Sequence, residues 1–366
     1  MDIHSLLRNH LKNMKKSNYV INDQLINNQK LDCSFGINPF GSSKKINKFD
    51  IFDRTDFQNY PPFPYDEMCD EIIKYWKEII NLRRENITVC AGSMVILDNI
   101  NNLFIDQGDK VLGYSPQFPA YINSVYLRGG IYCDAPLSAE NKYLFESFSI
   151  IFKLQQADYK LLYLDNPNNP TGQIIPIEEI EFIVKKAAEN STCVIVDEAY
   201  GDYMDQQSSA ISLVHKYENL FVVRTFSKAY GLAGMRIGYV VASDRLINIY
   251  GMIDDYLLNP IGLEAAKTSL RDNNFLSKTI EKTSTIKKHL SDSLKYLNIA
   301  ETSYHVPIFL LEHPDASVNL FKLLQSYGVK TTTGFENIGV NAVRMRIPKQ
   351  PEALLSILHK IEKHFI

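Results

Sequence analysis

Several absences narrow this chain before any motif is read. No apolar run approaches the roughly 20 residues that a helix needs to cross a bilayer, so a membrane protein is not expected. The five cysteines (Cys33, Cys69, Cys90, Cys133 and Cys193) are odd in number and scattered, with no Cys-x-x-Cys and no histidine pair beside them. That pattern speaks against a disulfide framework and against a zinc site, and it suits a reducing compartment. Charge of one sign is missing too: the net value of −3 offers no electrostatic case for nucleic acid or an anionic membrane. Met1 to Asn9 carries Asp2, His4 and Arg8 and lacks the apolar centre of a signal peptide. There are no internal repeats and no low-complexity tract beyond an Asn-rich start. The expectation is a soluble cytoplasmic protein without a metal. Its 366 residues, 45% hydrophobic, suffice for one large or two medium domains.

Along the chain, residues 1–30 are polar, with a weak amphipathic pattern in Ile3, Leu6, Leu7 and Leu11 that predicts a short helix. Gly36-Ile37-Asn38-Pro39 punctuates a loop, and Tyr60-Pro61-Pro62-Phe63-Pro64 must be extended and stiff. Asp66 is placed to cap a helix running to about Arg83. From Ile87 onward short apolar strands alternate with helices: strands at Ile87 to Cys90, Lys110 to Tyr114, Tyr159 to Leu164, Thr192 to Val196, Leu220 to Val223 and Ile237 to Ala242. Fully apolar strands between helices predict an α/β fold with a mostly parallel sheet covered on both faces. Residues 264–298 read as helical. Strand Val306 to Leu311, helix Ala316 to Tyr327, strand Val340 to Ile347 and a last helix from Pro351 to His364 then predict a smaller α+β unit. The expected division is an arm over 1–45 that belongs partly with the small domain, a large domain over 46–262, and a small domain over 263–366.

Chemistry concentrates in Thr225-Phe226-Ser227-Lys228-Ala229-Tyr230-Gly231 and the following Arg236. Lys228 sits between two core strands, where partial burial lowers an amine's pKa and frees its lone pair for a carbonyl. The hydroxyls of Thr225 and Ser227 and the planar guanidinium of Arg236 suit a phosphate. An aldehyde that carries a phosphate is pyridoxal phosphate. The plain alternative is a surface lysine and arginine on a Gly-rich turn. In a parallel sheet ligands lie at the carboxyl ends of strands, and Asn169, Asp197 and Lys228 each lie just past a predicted strand end.

Three segments in order, Asn168-Asn169-Pro170-Thr171-Gly172, Asp197-Glu198-Ala199-Tyr200 and Ser227-Lys228 with Arg236, resemble the fold-type I pyridoxal-phosphate enzymes of the class I/II aminotransferase group. The likeness runs from about Leu31 to the C-terminus and is strongest to the histidinol-phosphate aminotransferase and threonine-phosphate decarboxylase branch. It implies a seven-stranded large-domain sheet and a set of roles. Lys228 would form the internal aldimine and shuttle a proton. Asp197 would pair with the pyridine nitrogen, while Asn169 and Tyr200 would hydrogen-bond the phenolic oxygen. Phe118 would stack on the ring. Gly92, Ser93 and Met94 at a helix N-terminus, with Thr225, Ser227 and Arg236, would hold the phosphate. Tyr60 would reach the phosphate of the partner in a homodimer. Arg344 would bind the substrate α-carboxylate, with Asn38 and Arg346 as further substrate contacts. Plainer roles stand beside these: an N-cap for Asp197, a turn former for Asn169, packing for Tyr200 and Phe118, and a surface carboxylate partner for Arg346.

The chain departs from that resemblance mainly where substrate binds. Gly36-Ile37-Asn38-Pro39 replaces Asn-Glu-Asn-Pro, and the preceding Leu31-Asp32-Cys33-Ser34 is more like the decarboxylase. Met94 and Val95 replace acidic residues. Thr331-Thr332-Thr333 stands where relatives place a phosphate-gripping arginine, and Pro307-Ile308-Phe309 replaces Ala-Asn-Phe. The expected activity is transfer of an amino group between an L-amino acid, or a histidinol-phosphate-like amine, and a 2-oxo acid. Decarboxylation of an amino acid is the alternative, and a non-catalytic protein on the same scaffold is the third reading.

Overall fold

The computed structural model describes residues 6–12, 14, 31–46, 58–253 and 258–363. The helices, in chain order, are α1 (Asp66–Trp76), α2 (Ser93–Phe104), α3 (Pro119–Leu127), α4 (Ser147–Leu154), α5 (Ile177–Glu189), α6 (Asp244–Tyr250), α7 (Pro260–Leu270), α8 (Asn273–Ser293), α9 (Leu320–Ser326) and α10 (Glu352–Glu362). The strands are β1 (Leu31–Asp32), β2 (Ile87–Cys90), β3 (Lys110–Ser115), β4 (Ile131–Pro136), β5 (Leu161–Asp165), β6 (Cys193–Asp197), β7 (Leu220–Thr225), β8 (Gly238–Ala242), β9 (Asn298–Ile299), β10 (Ile308–Glu312), β11 (Val329–Lys330) and β12 (Ala342–Arg346). Seven strands form one sheet in the order β2-β8-β7-β6-β5-β3-β4. It is parallel except at β8, which runs antiparallel to both β2 and β7. The expected α/β class with a mostly parallel seven-stranded sheet is what the chain adopts.

The central strands β5 to β8 are buried along their whole length, so their side chains alternate between two apolar layers. One layer takes Leu162, Leu164, Val194, Val196, Leu220 and Val222 and is covered by α1, α4 and α5 through Met68, Ile72, Ile150, Ile151, Ile180 and Val184. The other takes Val111, Leu161, Ile195, Phe221 and Val223 and is covered by α2, α3 and α6 through Ile96, Ile100, Ile122, Val125 and Leu246. A sheet dry on both faces leaves only its strand ends to meet solvent or ligand.

A three-stranded sheet, β12-β10-β9, follows α8 in the chain, and β1 pairs with β11 in a separate two-stranded sheet. The main-chain N–H of Arg346 donates to Cys33 O at 2.8 Å, which ties residues 31–34 to this later part. The small apolar cluster there gathers Cys33, Leu290, Phe309, Leu311, Leu324, Val343, Met345 and Leu358.

Three sequence expectations change. The helix from Asp66 ends at Trp76 rather than near Arg83, and its cap is Tyr65 in a left-handed conformation with no side-chain capping bond. The strand β4 and helix α4 are additional elements. Near the N-terminus a single 3-10 turn, Asn9–Leu11, stands in place of the short helix, whose Ile3 falls outside the described residues. Among the described residues no helix is long and apolar enough to cross a membrane, and no group of three or more His, Cys, Asp or Glu is placed to hold a metal ion.

Burial sets the cost of truncation. Ile195 on β6 is fully buried; we predict that Ile195→Ala lowers the unfolding free energy by about 2–5 kcal/mol in a denaturant titration. Phe148 on α4 is 75% exposed, and Phe148→Ser should change stability by no more than about 0.5 kcal/mol in the same assay.

Candidate active site

Four adjacent strands deliver the expected residues to one edge of the sheet. Phe118 follows β3, Asn169 follows β5, Asp197 ends β6 and Lys228 follows β7, and these strands are neighbours in the order β7-β6-β5-β3. Parallel direction makes all four carboxyl ends open on the same side.

Asp197 is buried at that edge. Its Oδ2 accepts from the Tyr163 hydroxyl at 2.9 Å, and its Oδ1 accepts from the Ala199 N–H at 3.0 Å. Burial pushes its pKa from 3.8 up to about 7, with Tyr163, the Ala199 N–H and the nearby Lys228 charge pulling back down and Asp165 adding to the rise. The carboxyl is thus held by two hydrogen bonds in a buried setting that favours a positively charged partner. Tyr163 is itself fixed by stacking on Tyr121, with ring centroids 3.6 Å apart.

Lys228 is half-buried, its Nζ 5.4 Å from the centre of the Tyr200 ring. The loop that carries it is pinned from outside: Asn38 Nδ2 donates to Ala229 O at 2.7 Å, and Asn38 Oδ1 accepts from Phe40 N at 2.8 Å. Asn38 is buried, and these bonds occupy its amide.

A second cluster forms where β2 ends beside the start of β8. Thr225 Oγ1 and Ser227 Oγ lie 3.0 Å apart, and Arg236 Nη1 approaches Ser227 Oγ at 3.4 Å. Arg236 adopts a left-handed backbone (φ 56) and lays its guanidinium over Gly92, so that a Cβ on Gly92 would stand 2.5 Å from Nη2. Gly92 has φ 94 and caps α2 without any side-chain bond, which leaves the N–H groups of Ser93 and Met94 at the helix N-terminus. Hydroxyls, guanidinium and helix N-terminus together make a cradle for a phosphate-sized anion.

Tyr200 and Asn169 are buried, and among the described residues the Tyr200 hydroxyl and Asn169 Oδ1 have no hydrogen-bond partner. Burial raises the Tyr200 pKa, while the neighbouring Arg344 guanidinium draws it back. Tyr200 Oη and Arg344 Nη1 both crowd onto Gly36. Arg344, on β12, donates through Nη2 to Ser34 O and, at 2.7 Å, to Thr332 Oγ1, while its Nε has no partner among the described residues. Ser34 is held in turn by Asp32, whose Oδ1 accepts from Ser34 N at 2.8 Å and Ser34 Oγ at 2.6 Å. Arg346 points to the same side, close enough to lower the pKa of Tyr200 and Tyr203. Its Nη2 bonds to the main-chain Asp32 O rather than to a carboxylate. Tyr60 is 87% exposed and lines a cavity of about 410 Å³ with Tyr65, Leu263 and Lys267, away from the Lys228 cluster.

Motif reading missed the supports beneath these groups. Asp165 accepts from Tyr114 Oη (2.8 Å), Gln117 Nε2 (3.0 Å), Asn168 Nδ2 (3.1 Å) and the Asn169 N–H (3.0 Å), so one carboxylate holds both the Asn169 turn and the loop that carries Phe118. Glu198, also buried, pairs with Arg224 at 2.7 Å and accepts from Ser209 and Ala210. Their signal in the sequence was a polar residue closing or following an apolar strand, which marks a strand end without naming its partners.

The raised Asp197 pKa has a measurable sign. A carboxyl whose folded pKa lies above its unfolded value stabilises the fold most below about pH 4 and loses that contribution as pH rises towards 7. For protein stripped of any bound small molecule, we predict that Asp197→Asn gains stability relative to the parent between about pH 5 and pH 7 and levels off above, read by denaturant titration. A flat difference across that range would contradict the assignment.

Comparison with known proteins gives these groups a context. A family model described as aminotransferase class I and II matches residues 29–357. A histidinol-phosphate aminotransferase of Ruminiclostridium cellulolyticum is 36% identical over 203 residues, which are 56% of this chain and 54% of that protein; the match thus spans about half the length of that relative. One from Methanocaldococcus jannaschii is 30% identical over 332 residues, 88% of this chain and 87% of that protein. The crystal structure of histidinol-phosphate aminotransferase from Sinorhizobium meliloti in complex with pyridoxal-5'-phosphate superposes with a TM-score of 0.78, covering 92% of this chain and 91% of that one; at 21% identity the likeness is one of fold. The chain belongs to the class I and II aminotransferases, pyridoxal-phosphate-dependent enzymes of fold type I.

Proposed function

We propose that this protein moves an amino group between an L-amino acid, or a histidinol-phosphate-like amine, and a 2-oxo acid. The observation that carries the reading is a set of buried groups with no hydrogen-bond partner among the described residues, the Tyr200 hydroxyl and Asn169 Oδ1 past the strand ends and Arg344 Nε on β12, close to the buried Asp197 carboxyl. Such groups are costly to bury unless a ligand completes them. Pyridoxal phosphate matches them piece by piece. Its phosphate suits the Ser93, Met94, Thr225, Ser227 and Arg236 cradle over Gly92, and its ring nitrogen suits Asp197. Its phenolic oxygen suits Tyr200 and the amide of Asn169, and its ring face suits Phe118.

When bound, the cofactor supplies a carbonyl for the amino group and a protonated ring that accepts the electron pair left at the substrate Cα. The chain's residues do the rest. Asp197, whose buried setting favours a positively charged partner, would hold the ring nitrogen in its protonated form. Lys228 would hold the cofactor through its amine and, when that amine is free, would serve as the base and acid that moves the substrate Cα proton. Arg344 binds the substrate carboxylate, oriented by Ser34 and Thr332, with Arg346 as the neighbouring cation. Asn38 acts from behind by fixing Ala229.

The expected division at residues 46 and 262 is supported by the pairing of β1 with β11, which brings the early segment onto the later one. We further propose a homodimer in a reducing cytoplasm, in which exposed Tyr60 completes the phosphate site of the partner subunit. Decarboxylation is carried as the second reading because the Leu31-Asp32-Cys33-Ser34 segment, whose Ser34 O accepts from Arg344, resembles the decarboxylase in sequence.

Incubation of the cofactor-loaded protein with a panel of amino acids, with 2-oxo acid and carbon dioxide both assayed, separates the two. Transamination requires a 2-oxo acid without carbon dioxide release; decarboxylation requires the reverse. Lys228→Ala is predicted to slow either reaction by at least about a thousandfold, the scale of a lost proton-transfer group. Arg344→Lys should raise KM by about tenfold or more with a smaller effect on kcat, because a lysine cannot present the planar fork.

A further inference from the structure

Lys287 lies on α8 and has 1% of its surface exposed. Burial pushes its pKa well below the ordinary lysine value. Four oxygens nevertheless surround its Nζ: Thr302 Oγ1 at 2.6 Å, Ser303 O at 2.7 Å, Val306 O at 2.8 Å and Ile308 O at 2.7 Å. The Phe309 ring centre lies 5.9 Å away. Thr302 Oγ1 gives its own hydrogen to Thr171 O at 2.6 Å, so towards Lys287 it can only accept. The other three partners are carbonyls. Four acceptors around one nitrogen suit an ammonium with three N–H groups, whereas a neutral amine would turn its lone pair onto an oxygen.

The cage reaches the proposed cofactor site through the same residues. Thr302 holds Thr171 O, and the Ser303 N–H donates to Gly172 O at 3.0 Å. Gly172 has φ 78, and a Cβ there would meet Ile308 O at 2.4 Å, Thr302 Oγ1 at 2.9 Å and Lys287 Nζ at 3.3 Å. Its glycine is therefore explained by the close approach of the turn to the cage. On the far side, Thr171 N and Oγ1 donate to Asn168 Oδ1 at 3.1 and 2.6 Å, and Asp165 accepts from both Asn168 and Asn169. The 168–172 turn is clamped between Asp165 and the Lys287 cage.

We propose that Lys287 is a positioning residue: its caged ammonium gathers residues 302–308 beneath the 168–172 turn and thereby fixes Asn169 for cofactor binding. The proposal rests on the reading of Asn169 as a cofactor contact, and it adds a long-range tie from α8 to that turn.

The test compares Lys287→Met, Thr302→Val and the exposed control Lys288→Met in full-length protein. Hydrogen–deuterium exchange of peptides spanning 166–173 should rise several-fold in the first two and match wild type in the control, while peptides from β6 and β7 stay unchanged. Pyridoxal phosphate should bind about tenfold more weakly to Lys287→Met. In an Asn169→Ala background the same change should cost less than about twofold, because the two act in one chain. Unchanged exchange at 166–173, or losses that multiply, would overturn the proposal. If Lys287→Met does not fold, Thr302→Val decides, since it cuts the link to Thr171 and leaves the carbonyl cage. A wild type that binds no pyridoxal phosphate would defeat the proposed function instead.

Discussion

The arrangement depends on how three carboxylates are kept inside the protein. Asp165, Asp197 and Glu198 are all buried, and burial raises the pKa of each. Asp165 is satisfied by four neutral donors, and Glu198 by Arg224 with two further donors. Asp197 is held by two hydrogen bonds, with the Lys228 charge near enough to pull its pKa down. Burying a charge is costly, so a buried carboxyl of this kind gains from a ligand that brings a positive charge to it.

Around Asp197 the imbalance recurs in polar form. Tyr200 Oη, Asn169 Oδ1 and Arg344 Nε are buried without partners among the described residues, and a helix N-terminus, two hydroxyls and Arg236 stand together. The sheet explains how several of these groups are placed. Asn169, Tyr200 and the Gly92 helix N-terminus follow the carboxyl ends of β5, β6 and β2, and the strands fix where they emerge. The small-sheet side reaches in twice, through Arg344 on β12 and through the residues that Lys287 gathers.

Much of this was legible in the sequence, and the failures have physical causes. The central strands show because both faces are apolar, and Asn169, Asp197 and Lys228 show because each follows such a run. β4 did not show because it is the edge strand: Ile131 and Pro136 are exposed, and Asp134 interrupts the apolar pattern. α4 hid because Phe148 and Phe152 are exposed and blur its apolar face. The helix from Asp66 was overextended because Ile79 and Ile80 continue its periodicity, although they pack on the core after the helix has ended. Partnerships were beyond reach in another way. Tyr163 with Asp197, Arg344 with Ser34, and Lys287 with Ile308 join residues far apart in sequence, and no local pattern marks them.

The central claim is that Lys228 and Asp197 form the floor of a pyridoxal phosphate site. The most direct measurement is the absorbance spectrum of the protein with added pyridoxal phosphate, followed by borohydride reduction and peptide mapping. The account predicts a yellow protein in which reduction fixes the cofactor's mass on the peptide containing Lys228, and no such peptide from Lys228→Ala. A protein that stays colourless, or that carries the label on another lysine, would contradict it.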